Sequence, residues 1–416
     1  MSTNLNQKLR LEKLFFFLLL FVLATLPFGI ADLTNLSLIS LALLGVLGIK
    51  KSEWRSSLKD PISLSFTAFF IVYLLSLSYT CNVEGGLGQL ETKMSFLIAA
   101  PILRIYQARF NEVQIIRLLK TYIFGVLAVI LFLLIYASYR SYSAGSFSYL
   151  SEGGTYYLYY FLYESFAEPI MHPGYLSLYV GIAFLGSIYL SRISHWTIKQ
   201  IIPTIFTFCL GLLLLQGRMT IIALFLSLGL WLVTYVLQRK NWKPLLISSI
   251  SLLVLALLAF KLAPQSLSDR YLAFPDFSYD ISGSDFNSAT YRLAEWKCAW
   301  DGVKDSPLLG YGLGCGQEEL FNRYEKFKFW EGLERKYNAH NQYFETMLST
   351  GVLGLIALVA IFISILSTAV KNNNYFAIYA LIFFALCLVT ESMLERAWAV
   401  ILFNIFFPLF TSLRRG

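Results

Sequence analysis

The chain has 416 residues, of which 57% are hydrophobic and only 14% charged, and its mean hydropathy is +0.62. These proportions exclude a soluble domain of this length and describe a polytopic membrane protein. The net charge of +8 does not point to nucleic acid, because the polar stretch Leu262 to Ala339 holds nine Lys/Arg against twelve Asp/Glu and the positive excess sits in short loops elsewhere.

The first run, Leu14 to Ile30, follows Lys8, Arg10 and Lys13. It has the look of a signal peptide, but neither a small-residue cleavage site nor a soluble mature domain follows, so we expect a retained first helix. Further apolar runs long enough to span a bilayer cover about 33–49, 61–80, 89–106, 117–138, 173–191, 198–216, 218–238 and 244–261, then 341–369, 375–391 and 395–412. The sequence thus predicts an all-α integral membrane protein of about twelve transmembrane helices with one large, mainly helical outer loop. Its expected organisation is nine helices over 1–261, with a tyrosine-rich outer segment at 139–172, the large loop over 262–340, and three helices over 341–416.

Basic residues resist translocation. Lys50, Lys51, Arg55 and Lys59; Arg104, Arg109, Arg117 and Lys120; Arg192 and Lys199; Arg239, Lys240 and Lys243; Lys371; and Arg414 and Arg415 all fall in alternate loops on the N-terminal side. We therefore expect both termini in the cytoplasm and the opposite loops in the periplasm of a bacterial inner membrane.

In the outer segment, tyrosines from Tyr139 to Tyr163 form either an interfacial aromatic belt or a surface on which sugar rings stack. His172 precedes Pro173, which suits a first helical turn; it is a boundary residue or a substrate contact. Gln216-Gly217-Arg218 puts an arginine in a tight turn between two spans, where it either snorkels or holds an anion at the lipid–water boundary.

Within the large loop, Asn287 to Thr290 supply N-cap candidates, and Leu293, Trp296, Trp300 and Val303 recur at helical spacing, which predicts an amphipathic helix over about 290–304. Arg292 in its first turn opposes the helix dipole. A substrate anion would offset that misfit, as would a salt bridge to Asp285 or Glu295. The glycine run Gly310 to Gly316 lacks dinucleotide-site spacing and signals only an unusual backbone. A second surface helix is expected from Glu318 to Tyr337. His340 then opens the next span, in which Gly351 and Gly354 are expected to permit close helix packing. Five cysteines without CxxC spacing indicate neither a zinc site nor a disulfide framework; the bridge to consider is Cys298 to Cys315.

The motifs His340-Asn341-Gln342-Tyr343-Phe344-Glu345 and Gly351-Val352-Leu353-Gly354-Leu355, after Pro307-Leu308-Leu309-Gly310-Tyr311-Gly312 and together with Arg292, Trp296 and Gly217-Arg218, resemble the O-antigen ligase and polymerase family. The resemblance implies a GT-C glycosyltransferase that moves a glycan from undecaprenyl diphosphate to a lipid A-core acceptor in the periplasm. It carries essential roles over to Arg218, Arg292 and His340; His172, Asn341 and Tyr311 are further candidate substrate contacts read from this sequence beside them. The serines usual beside the first arginine are replaced by Gly217 and Met219. Arginine suits diphosphate oxygens through bidentate donors, and histidine suits proton transfer from an acceptor hydroxyl with inversion at the anomeric carbon. No metal or other cofactor is expected, since Asp276, Asp280 and Asp285 lack DxD spacing. The alternatives within the family are an O-antigen polymerase and a glycan transferase to protein. A transporter or flippase would place paired broken helices and charges at the membrane midplane, whereas here the polar residues gather at the outer ends.

Overall fold

In the computed structural model, residues 2–151, 154–193, 195–240, 281 and 288–413 are described. The predicted span at 244–261, and Asp285, lie outside them. The fold is all-α apart from one small hairpin. The helices are α1 (Ser2–Thr25), α2 (Ala31–Gly48), α3 (Lys51–Ser57), α4 (Pro61–Ser76), α5 (Val83–Arg109) and α6 (Glu112–Ser143), then α7 (Tyr163–Ala167), α8 (Pro173–Arg192), α9 (Ile198–Leu215) and α10 (Arg218–Arg239). After the large loop begins come α11 (Ser288–Asp305), α12 (Gly316–Lys326), α13 (Trp330–Glu334), α14 (Gln342–Lys371), α15 (Tyr375–Cys387) and α16 (Ala397–Phe410). The tyrosine-rich segment forms an antiparallel pair, β1 (Ser148–Ser151) with β2 (Gly154–Tyr157), followed by the short α7.

Among the described residues, seven helices are long and apolar enough to cross a membrane, and the bent pair α3–α4 makes an eighth. The predicted count of twelve also includes α5, which carries Glu84, Glu91, Lys93, Arg104 and Arg109, the short helices α15 and α16, and the run at 244–261. Polar contacts collect at two ends of the bundle. At one, Arg104 donates to Asp60 (2.9 Å) and Ser412 (2.7 Å), and Arg109 pairs with Glu53 (2.7 Å). At the other, the α4–α5 turn meets the large loop: Tyr79 donates to the Leu309 carbonyl (2.7 Å), Asn82 donates to Glu318 (2.9 Å), and Cys81 is disulfide-bonded to Cys315. The bridge considered from sequence, Cys298 to Cys315, is therefore not formed. Cys298 is wholly buried in the core of the loop domain, among Ala294, Leu320 and Tyr324, while Cys315 opens α12 at the domain's edge.

The predicted helix over 318–337 is two helices. Lys328 takes a left-handed φ of 56°, ends the run after α12, and lets Phe329 turn inward to complete the loop core. The α14 helix is likewise broken, at Gly351 (φ 61°, ψ −160°). A Cβ there would lie 2.2 Å from the Leu308 carbonyl oxygen, so this glycine serves a close backbone approach. The amides of Tyr311 and Gly312 donate to the carbonyls of Leu348 (2.8 Å) and Ser349 (3.0 Å), and Val352 donates to Pro307 (2.8 Å). These bonds satisfy the groups the break releases, as irregular backbone near a membrane requires. The glycine run 310–316 thus finds its structural use here. Gly351 marks a break, where close helix packing was expected.

The short α15 and α16 leave their linking turn, 388–396, inside the bundle: Ser392 and Leu394 are fully buried and Met393 nearly so. A buried ion pair holds that turn. Lys93 of α5, 1% exposed, donates to Glu395 (2.8 Å) and to the Leu394 carbonyl (3.2 Å). Gln342 then donates to Glu395 (2.8 Å) and accepts from the Leu394 amide (2.7 Å). Replacing Lys93 by Met leaves a carboxylate without its cation, which costs about 3–5 kcal/mol. We expect a markedly lower thermal unfolding midpoint in detergent for Lys93→Met, and substantial recovery in Lys93→Met/Glu395→Gln; no recovery would mean that the pair's charge is not what holds the turn.

Candidate active site

His340 sits where the large loop enters α14. Its backbone is left-handed (φ 40°), a conformation unfavourable for a non-glycine residue, and it is fixed from both sides. Its amide donates to the Asn338 side chain (2.9 Å), and the next residue, Asn341, caps α14 by accepting from the amides of Tyr343 (2.9 Å) and Phe344 (3.1 Å). The Asn341 amide in turn donates to Ser392 (3.2 Å). Asn341 is 6% exposed, so the side chain expected to touch substrate is engaged as a helix cap.

The His340 ring lies with Nδ1 2.9 Å from Glu295 Oε2; the histidine side chain is 23% exposed and the glutamate 1%. Burial works against protonation of His340, but the hydrogen bond to Glu295 and the charges of Glu295 and Glu391 outweigh it and raise its pKa above 6.5. Burial also raises the Glu295 pKa, partly offset by His340 and Arg292. The Nδ1 edge of the ring is thus engaged by Glu295, and Nε2 lies on the opposite edge.

Arg292 lies one turn before Glu295 on the same face of α11, the relation that i,i+3 spacing gives. Its Nε donates to the Thr390 carbonyl (3.0 Å) and its Nη2 lies 3.8 Å from Glu391. Of the partners considered from sequence, Glu295 pairs with His340 and Asp285 lies outside the described residues; among the described residues, acceptors on the 388–396 turn offset the cation's misfit with the helix dipole.

His172 caps α8, its Nδ1 accepting from the Gly174 amide (3.2 Å). Burial lowers its pKa; the charges of Glu391 and Glu164 act the other way, and those of His340 and Arg292 reinforce the fall. His172, Arg292, His340, Glu295 and Glu391 are thus electrostatic neighbours in one cluster. Arg218 begins α10 in a turn that packs on α8: a Cβ on Gly217 would meet Ser177 Oγ at 2.6 Å, five residues beyond His172. Tyr311 stands apart from the cluster. Its hydroxyl donates to the Gly302 carbonyl (2.8 Å) and accepts from Arg323 (3.3 Å), two turns along α11 from Glu295, about 10 Å by helical rise.

Sequence reading missed Glu295 as the partner of His340, and Glu391 and Thr390 as the partners of Arg292. The periodicity of α11 does place Arg292 and Glu295 together. Nothing local links either residue to segments 45 and 98 positions away.

Comparison with known proteins bears on the same residues. Residues 203–359 match the family described as O-Antigen ligase, a stretch that includes Arg218, Arg292, Tyr311, His340 and Asn341. An uncharacterized protein of Haemophilus influenzae is 24% identical over 345 residues, covering 80% of this chain and 79% of that protein. A candidate polysaccharide ligase of Rickettsia conorii is 28% identical over 171 residues, 38% of each chain. The family points to an enzyme with polysaccharide and lipid substrates, and the helices to a multi-pass membrane protein. Over residues 203–359, then, this chain is similar to the O-antigen ligase family, and the stretch of likeness contains Arg292 and His340.

Proposed function

We propose that the chain is an O-antigen ligase that takes a glycan from undecaprenyl diphosphate and passes it to a sugar hydroxyl of lipid A-core. In this reading the reaction runs at the periplasmic face of a bacterial inner membrane, with both termini cytoplasmic. The observation that carries it is the His340–Glu295 pair beside Arg292, within the stretch that matches the ligase family. The Cys81–Cys315 bridge supports an oxidising compartment for that end of the bundle.

Glu295 fixes the proton of His340 on Nδ1, as a carboxylate does for a histidine base. Nε2 then accepts the proton of the acceptor hydroxyl as its oxygen attacks the anomeric carbon. The bond from that carbon to the diphosphate oxygen breaks on the opposite face, which inverts the centre. Arg292 and Arg218 take up the charge left on the diphosphate with planar paired donors, so the reading is metal-independent.

His340→Ala is expected to lower transfer by about 10²–10⁴-fold, and Arg292→Ala by a similar factor. Both are read by purified transfer assay and by lipopolysaccharide gel. Bare core with polymer left on its carrier supports the ligase, whereas core bearing a single repeat unit would make the enzyme a polymerase. Purified wild-type enzyme should keep its activity in EDTA, and loss reversed by magnesium would overturn metal independence. The chain has only three histidines, so labelled-histidine NMR can follow each one. We expect His340 to titrate above 6.5 and His172 below it. Removing the Glu295 charge with Glu295→Gln lowers the His340 midpoint, and the acid limb of the rate profile moves to lower pH with it. An unmoved midpoint would show that Glu295 does not act on His340.

A further inference from the structure

An open cavity of about 500 Å³ is lined by Tyr159, Glu164, Ser165, His172 and Trp398 together with the Arg140–Glu168 pair. That volume lies in the range of sites that take small ligands. The lining joins two aromatic faces to a hydroxyl, carboxylates and an imidazole, the combination that packs on the C–H faces of a sugar while accepting its hydroxyl hydrogens. Its charge is unsuited to a diphosphate. Two carboxylates face one cation, and that cation is already engaged, since Arg140 pairs with Glu168 and lies 4.6 Å over the Tyr160 ring. Neither Arg218 nor Arg292 lines the cavity.

His172 is the wall shared by cavity and cluster. Glu164, which also lines the cavity, and Glu391, Arg292 and His340 of the cluster all act on its charge. Trp398 is placed by the same buried turn that carries Glu391: its ring meets Tyr175 edge-on at 5.6 Å, and its carbonyl accepts from Tyr179 (2.7 Å).

Resting on the ligase reading above, we infer that this cavity is the acceptor-sugar subsite. It holds a saccharide unit free of phosphate and carboxylate groups against Trp398 and Tyr159, with its hydroxyls toward Glu164 and His172, and so presents the acceptor to His340 while the arginines keep the donor diphosphate outside it. Glu164, Ser165 and Trp398 are then specificity-determining residues.

The test is steady-state kinetics of the full chain in nanodiscs, with rough lipopolysaccharide as acceptor and lipid-diphosphate-linked glycan as donor, each varied in turn. Trp398→Ala, which keeps the carbonyl bound by Tyr179, and the near-isosteric surface change Glu164→Gln should each raise the acceptor KM, by about tenfold for the tryptophan, with the donor KM within about twofold. A rise confined to the donor KM would make the cavity a donor site, and unchanged constants would remove it from substrate binding; either overturns the inference. Equilibrium binding of lipid-free core oligosaccharide to His340→Ala separates the two readings. Binding that depends on Trp398, in a protein whose wild type transfers no glycan, would end the ligase reading and leave a saccharide site. Transfer that proceeds while neither variant weakens oligosaccharide binding would end the subsite alone.

Discussion

The ion pair Lys93–Glu395 is the contact on which the site end of the bundle depends. A lysine 1% exposed among membrane helices is tolerated only with a charged partner and further hydrogen bonds, and Glu395, the Leu394 carbonyl and Gln342 provide both. The pair fixes the depth at which the chain between α15 and α16 turns. That turn supplies the Thr390 carbonyl and Glu391 to Arg292, Ser392 to the Asn341 amide, and Trp398 to the cavity wall. One ion pair on the bundle axis therefore sets the position of groups drawn from four separate segments.

Two histidines in one cluster are driven in opposite directions. His172 is buried, and burial favours its neutral ring against the opposing charges of Glu391 and Glu164. His340 has a buried carboxylate against Nδ1, which favours its charged one. Their separation allows one ring to serve as a neutral hydrogen-bonding surface at a pH where the other still trades its proton, although both face the same Arg292 and Glu391. The difference lies in geometry: Glu295 is within hydrogen-bond distance of one ring only.

Features that repeat along the chain were legible in the sequence. Apolar runs located each described spanning helix, and the periodicity of α11 was read to within two residues. Arg292 and His340 could be singled out because each is chemically awkward where it stands: a cation in a first helical turn, and a titratable ring at a helix mouth. What depends on distant partners was not legible. Gly351 and Gly354 have the spacing of a helix-packing motif whether or not the helix breaks there, and only the approach of Leu308 and Leu309 decides it. Cys81 lies 234 residues from Cys315, a separation at which nothing in the sequence pairs the two, and the side chain of Cys298 is taken up by the loop core. Asn341 was read for its neighbourhood to His340, and the capping geometry that occupies it is a property of the backbone around it.

The Cys81–Cys315 bridge also bears on how the chain is assembled in its membrane. Between the two cysteines lie α5 to α10 and most of the large loop, and the bridge can close only when the α4–α5 turn and the start of α12 reach the same side of the bilayer. A chain inserted with one span too few or too many in that interval would leave the two thiols on opposite faces with a hydrocarbon layer between them. The cross-link therefore acts as a test of insertion parity, excluding molecules in which a single intervening span has failed to cross, and it does so beside the loop that must meet the bundle for the His340 cluster to exist.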